Sequence, residues 1–209
     1  MATILSSAPS GARAAVSPEG AVPASDGVGR LVLVVGPSGA GKDSLIAYCR
    51  ERLAGSDRVV FPRRVITRED AGDTEDHDTV SEDAFHRMVS EGAFALHWRA
   101  HGLGYGIPAA ITADRAAART IVVNVSRSVI DKARRRFPPV LVVSVTAPVA
   151  VLADRLSRRG RESPERVQAR LERSGSYVVE GEDVLVLDNA GPIEQAGETL
   201  LAVLVAPGA

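Results

Sequence analysis

Residues 31–35, Leu-Val-Leu-Val-Val, form an unbroken apolar run rich in β-branched side chains. A half-exposed strand would alternate; this run predicts a strand covered on both faces, as in a parallel sheet. Runs of the same kind recur at 120–125 and 140–145, with a shorter one at 184–187. Between them the pattern predicts helices at 43–53, 81 to about 91, 108 to about 119, about 128–136, 148 to about 158, 164 to about 173, and after Pro192. Pro108, Pro148, Pro164 and Pro192 mark helix starts, where a missing N–H is harmless. Ser81, followed by Glu82 and Asp83, reads as an N-cap with an acidic first turn. Residues 58–67 contain a second strand and 94–98 a short one; 69–78 form an acid-rich loop and 102–106 a tight, glycine-punctuated loop. Strands alternating with helices predict an α/β sandwich of three layers around a mostly parallel sheet.

A chain of 209 residues suits one domain and can bury a full core without staples. Residues 1–29 are rich in Ala, Ser, Pro and Gly, and Arg13 is their only basic residue. Pro9, Gly11, Pro18, Gly20 and Pro23 interrupt any apolar core, so the segment reads as a disordered tail rather than a secretory signal. The domain then spans 30–206. Lys and Arg number 25 against 26 Asp and Glu, a net charge of −1, which excludes a global basic field for nucleic acid or an anionic membrane. No apolar run reaches the roughly 18 residues of a membrane helix. The single Cys49 cannot form an internal disulfide and fits a reducing cytoplasm. Nothing in the sequence opposes a homodimer.

The first strand leads directly into Gly36-Pro37-Ser38-Gly39-Ala40-Gly41-Lys42 and then a helix. Glycines let backbone N–H groups turn inward around phosphate at the positive end of a helix, and Lys42 reaches the β- and γ-phosphates. The sandwich is therefore expected to be of the P-loop class, with ATP on residues 36–44, and the resemblance given below makes it a P-loop kinase. The motif departs from its pattern once: Asp43 stands where Ser or Thr usually ligates Mg²⁺, and Ser44 follows. At the end of the 120–125 strand, where an acid often helps hold the metal, stands Asn124. Two readings are open. Either a carboxylate has moved from strand to loop, so that Asp43 (with Ser44 as the competing ligand) meets the metal, or Asp43 only complements the helix dipole.

Phosphoryl transfer is mostly positioning and charge stabilisation, so arginines matter more than a base. Arg63, Arg64 and Arg68 flank the second strand, and Arg99 follows Trp98. Arg155, Arg158, Arg159 and Arg161 surround Gly160, which suggests a lid over about 155–165 that brings Arg155 and Arg159 to the transferring group. The basic run at 132–136 reads as a solvated helix end.

Together the P-loop, Ile66-Thr67-Arg68, Tyr105-Gly106 and Arg155-Leu-Ser-Arg-Arg-Gly160 resemble the guanylate kinase family, over about residues 31–190. Within it, Lys42-Asp43-Ser44, His97-Trp98-x-Ala100-His101-Gly102-Leu103-x-Tyr105-Gly106, Val123-Asn-Val-Ser-Arg127 and Arg159-Gly-Arg-Glu162 are similar to the branch of ribose 1,5-bisphosphate phosphokinases. That resemblance implies ATP and Mg²⁺, transfer to the 1-phosphate of ribose 1,5-bisphosphate, and 5-phosphoribosyl 1-diphosphate as product, in phosphonate utilisation. It implies a substrate-binding region over about 62–107, with Arg64, Thr67, Arg68, His97, Arg99, His101, Tyr105 and Arg127 on the sugar phosphate.

The residues agree on substrate class. The position of the guanine-reading acid matches His97, and Glu69 and Asp70 stand where a second arginine follows Thr-Arg in guanylate kinases. The alternative is a nucleoside monophosphate kinase with altered base contacts; a scaffold without catalysis is opposed by Gly36, Gly41 and Lys42. His97 and His101 also read as ordinary loop residues, and with Cys49 distant they lack a clear third zinc ligand.

Overall fold

The structure, a computed structural model, describes residues 27–68, 77–158 and 178–206. The first half contains β1 (Leu31–Val35), α1 (Lys42–Arg52), β2 (Val59–Val60), β3 (Arg64–Ile66), β4 (His77–Thr79), α2 (Glu82–Ser90), β5 (Phe94–Ala100) and β6 (Leu103–Pro108). It is followed by α3 (Ile111–Ala116), β7 (Thr120–Asn124), a 3-10 turn (Arg127–Val129), α4 (Ile130–Arg136), β8 (Val140–Thr146), α5 (Val149–Arg158), β9 (Val184–Asp188) and α6 (Ile193–Val205). The expected tail (residues 1–29) falls on undescribed residues up to 26; Gly29 is tied in, donating its N–H to Arg115 O and accepting from Arg115 Nε.

The main sheet has the order β2-β7-β1-β8-β9, and every pairing in it is parallel. All five residues of β1 are buried, because helices cover both faces. Val32 and Val34 pack with Leu45 and Cys49 of α1, Leu152 of α5 and Leu200 of α6. Leu31, Leu33 and Val35 pack on the other side with Ile111 of α3 and Ile130 of α4. The expected three-layer sandwich is therefore present, and burial on both faces is why these strands read as continuous apolar runs.

A second sheet of order β4-β3-β6-β5 stands against it; β3 and β4 are parallel and the other pairs antiparallel. Leu96, Trp98 and Ile107 join the main core from this sheet. Its other side holds Val65, Phe85 of α2 and Phe94, with the two rings 5.0 Å apart.

Four elements differ from the sequence expectation. The expected loop at 102–106 is mostly strand β6. His101 and Gly102, with φ of 53° and 77°, make a two-residue turn of the kind that closes a hairpin, so the strand starts at Leu103. Gly104 and Gly106 are strand residues because rings lie over them: a Cβ on Gly104 would sit 2.9 Å from Phe85 Cε1, and one on Gly106 would collide with Phe94. Pro108 ends β6 opposite Phe94 instead of opening a helix, and α3 begins at Ile111. The strand expected within 58–67 is split at Pro62, its halves serving different sheets. The acid-rich loop ends in β4, paired with β3. The helix expected from 164 and most of the expected lid lie outside the described residues; α5 ends at Arg158. Among the described residues no helix is long and apolar enough to cross a membrane.

Candidate active site

The phosphate loop joins the buried end of β1 to α1. Gly36 and Gly41 have φ of 146° and 87°, and a Cβ on either would collide, with the Val145 carbonyl and the Asn189 side chain respectively. Only glycine passes both points. Gly41 caps α1 in the left-handed conformation, and no side chain occupies the capping position, so the helix N-terminus stays turned to the loop. Lys42 Nζ donates to the carbonyls of Gly36 and Pro37, each at 3.0 Å. Ser38 is half-buried and Ser44 exposed.

Two side chains from distant elements close on this loop. Asn189, 2% exposed, follows β9 and donates Nδ2 to the Ala40 carbonyl at 2.7 Å. Arg155 reaches in from α5: its Nη1 stands 3.7 Å from the Cβ position of Gly41. That Nη1 is buried without a hydrogen-bond partner, as is Asn189 Oδ1. A buried guanidinium donor aimed at a glycine cradle on a helix N-terminus is the chemistry that receives a polyphosphate. The residues thus fit a nucleotide. Asn189 has no signal in the sequence beyond a polar residue after an apolar strand.

Across the loop, Asp43 meets both sheets. Asn124 Nδ2, at the end of β7, donates to Asp43 Oδ1 at 2.6 Å, and Arg64 Nη2 of β3 stands 3.7 Å from the same oxygen. The Arg64 guanidinium also lies 5.9 Å from the centre of the Tyr105 ring, which in turn stacks on Trp98 at 5.3 Å. Asp43, Arg50, Arg64 and Asn124 line one cleft between α1, the end of β7 and the second sheet. Asp43 is its one carboxylate. No group of three His, Cys, Asp or Glu side chains suited to a metal occurs among the described residues. A single carboxylate with water-filled positions suits Mg²⁺, which keeps much of its hydration shell.

The remaining expected substrate residues divide. Thr67 and Arg99 meet at Glu82: Thr67 Oγ1 donates to Oε1 at 2.8 Å and Arg99 Nη2 to Oε2 at 2.7 Å. Those hydrogen bonds hold the Glu82 carboxyl below its ordinary range. Arg68 directly follows Thr67. His97 is half-buried on β5; burial, then the charges of Lys132 and Arg136, lower its pKa. His101 is exposed at the hairpin tip between β5 and β6. Arg127 opens the 3-10 turn just beyond Asn124. Arg159 lies outside the described residues. Cys49 is buried and its thiol is pushed up to about 11 by desolvation, so it is no nucleophile here.

A phosphate loop feeding an all-parallel sheet, with a small mixed sheet facing it across a cationic cleft, defines a P-loop kinase. The chain belongs to the guanylate kinase family, whose profile matches residues 28–206. Among its relatives, the ribose 1,5-bisphosphate phosphokinase PhnN of Chelativorans sp. is 49% identical over 177 residues, covering 84% of this chain and 85% of that protein. The protein of the same name from Acidiphilium cryptum is 51% identical and covers 85% and 93% respectively. The crystal structure of guanylate kinase from Anaplasma phagocytophilum shares the fold, with a TM-score of 0.58 over 87% of both chains at 20% identity.

Proposed function

We propose that this chain is an ATP-dependent ribose 1,5-bisphosphate phosphokinase, which makes 5-phosphoribosyl 1-diphosphate in phosphonate utilisation in the cytoplasm. Its relatives at 49% and 51% identity carry the former name. The observation that carries the reading is the cation set around the acceptor side. Arg64 faces the phosphate loop beside Tyr105. His97, at the position matched to a guanine-reading acid, sits in the field of Lys132 and Arg136. A phosphorylated sugar is recognised by cations and hydroxyl partners, whereas a guanine edge asks for a carboxylate.

The chemistry follows from charge. The attacking oxygen belongs to a phosphate that is already ionised, so no general base is needed. Lys42 and Arg155, together with Arg159, stabilise charge on the transferring phosphoryl group, and Arg64 and Arg68 orient the acceptor. Mg²⁺, held by Asp43 or Ser44 with its waters, supplies further charge neutralisation when bound. Incubation with MgATP and ribose 1,5-bisphosphate, followed by separation of the products, tests the reading. ADP and 5-phosphoribosyl 1-diphosphate should appear in equal amounts; ATP left intact in the presence of this acceptor contradicts it.

A further inference from the structure

Glu82 opens α2 just after the Ser81 cap, where a carboxylate is favoured by the helix dipole. Its position gives it three partners from the second sheet and its own helix. Oε1 accepts from Thr67 Oγ1, and Oε2 from Arg99 Nη2. His86, one turn along α2, has its Nε2 3.8 Å from Oε2 and 3.0 Å from the same Arg99 nitrogen. Thr67 is only 6% exposed, and its hydroxyl also accepts the Gly104 N–H at 2.8 Å. The Thr67 backbone N–H in turn donates to Gly104 O at 3.0 Å. One carboxylate therefore ties the end of β3, which is itself bonded to Gly104 of β6, to the end of β5.

The exposed half of this network is weak: Arg99 and Glu82 side chains are 52% and 45% exposed, and such pairs contribute little. The buried half is not. The Thr67 hydroxyl spends its proton on Glu82 and a lone pair on Gly104, so it has little left for a ligand. Removing its acceptor leaves a buried donor unsatisfied, which the strand end relieves by shifting. The residues next to the fastened points are Arg68, beside Thr67, and Tyr105, beside Gly104. Displacements of about 1 Å in substrate-positioning groups change rates by roughly a hundredfold.

We propose that Glu82 is a positioning residue for the acceptor: through the Thr67 hydroxyl it sets the strand ends that carry Arg68 and Tyr105, while Thr67 and Arg99 belong to this frame rather than to the substrate contacts. The inference rests on the kinase reading above and assigns Glu82 a part in binding the sugar phosphate and none in binding ATP.

Steady-state kinetics with ribose 1,5-bisphosphate and ATP varied separately test it, in the full wild-type chain, Glu82→Ala, Thr67→Val, Thr67→Ser and the Glu82→Ala/Thr67→Val pair, with melting temperature measured on each. Glu82→Ala and Thr67→Val should raise the acceptor KM about tenfold or more, with the ATP KM within about twofold of wild type. Thr67→Ser keeps the hydroxyl and should keep the acceptor KM. The effect of the double variant should fall short of the product of the two single effects, because both changes remove the same Thr67–Glu82 bond. If Thr67→Val does not fold, Glu82→Ala and Thr67→Ser still decide. An unmoved acceptor KM in Glu82→Ala, with or without a lower melting temperature, overturns the inference; so does an equal rise in both KM values. A wild type inactive on ribose 1,5-bisphosphate overturns the functional reading itself.

Discussion

Asn124 Nδ2 donates to Asp43 Oδ1 at 2.6 Å, which joins the end of β7 to the first turn of α1. These are the two positions where the chain departs from the usual phosphate-loop pattern, and they touch. An acid at Asn124 would place two carboxylates in contact, with one of them forced to hold a proton or share a cation. The amide instead orients the single carboxylate, and Arg64 stands 3.7 Å from the same oxygen.

If Asp43 has taken over the metal role, Asp43→Ser raises the Mg²⁺ concentration for half-maximal rate severalfold at saturating ATP. Adding Asn124→Asp to that variant recovers part of the loss, a non-additive pair. Ser44→Ala is the control, and because Ser44 is exposed its effect should be the smaller. An Asp43→Ser titration that overlays wild type leaves Asp43 as a helix-dipole residue only.

Lys42 and Arg155 should separate catalysis from stability. Lys42→Ala lowers kcat by at least about a hundredfold, the scale of losing one preorganised cation or donor. Arg155→Ala loses a buried Nη1 that has no partner in the protein, so the ligand-free melting temperature should hold or rise slightly. Saturating ATP should then stabilise the Arg155 variant much less than wild type, since binding to the native state alone raises apparent stability. A normal ATP-induced rise in Arg155→Ala contradicts its place on the nucleotide.

His97 gives a pH dependence with a definite sign. Its folded pKa lies below the ordinary value, first through burial and then through Lys132 and Arg136. The unfolded chain therefore takes up this proton first as pH falls. Stability from His97 is full above about pH 6.5 and declines as pH drops toward its lower folded value. His97→Gln should flatten the fall in melting temperature between pH 7.5 and 5. An unchanged slope removes His97 as a contributor.

The sequence made the first strand, the phosphate loop and the first helix plain, because all three follow one another in the chain and each obeys a local rule. The paired strands around 102–106 were hidden by Gly104 and Gly106, whose reason is the Phe85 and Phe94 rings that close over them. Long-range polar links were equally silent. Glu82 reads locally as a first-turn acid, yet its partners Thr67 and Arg99 lie 15 and 17 residues away in opposite directions. Asn189 holds Ala40 across 149 residues, a spacing with no periodicity to betray it.

The acceptor choice tests the account most directly. The measurement is kcat/KM for ribose 1,5-bisphosphate and for GMP on the same enzyme preparation, followed by ADP release at fixed MgATP. If the acceptor is met by Arg64, Arg68 and Tyr105, with His97 in place of a guanine-reading acid, the sugar phosphate should be favoured by at least about a hundredfold, the scale of leaving polar partners unpaired. Equal or better use of GMP would contradict it and make the chain a guanylate-type kinase.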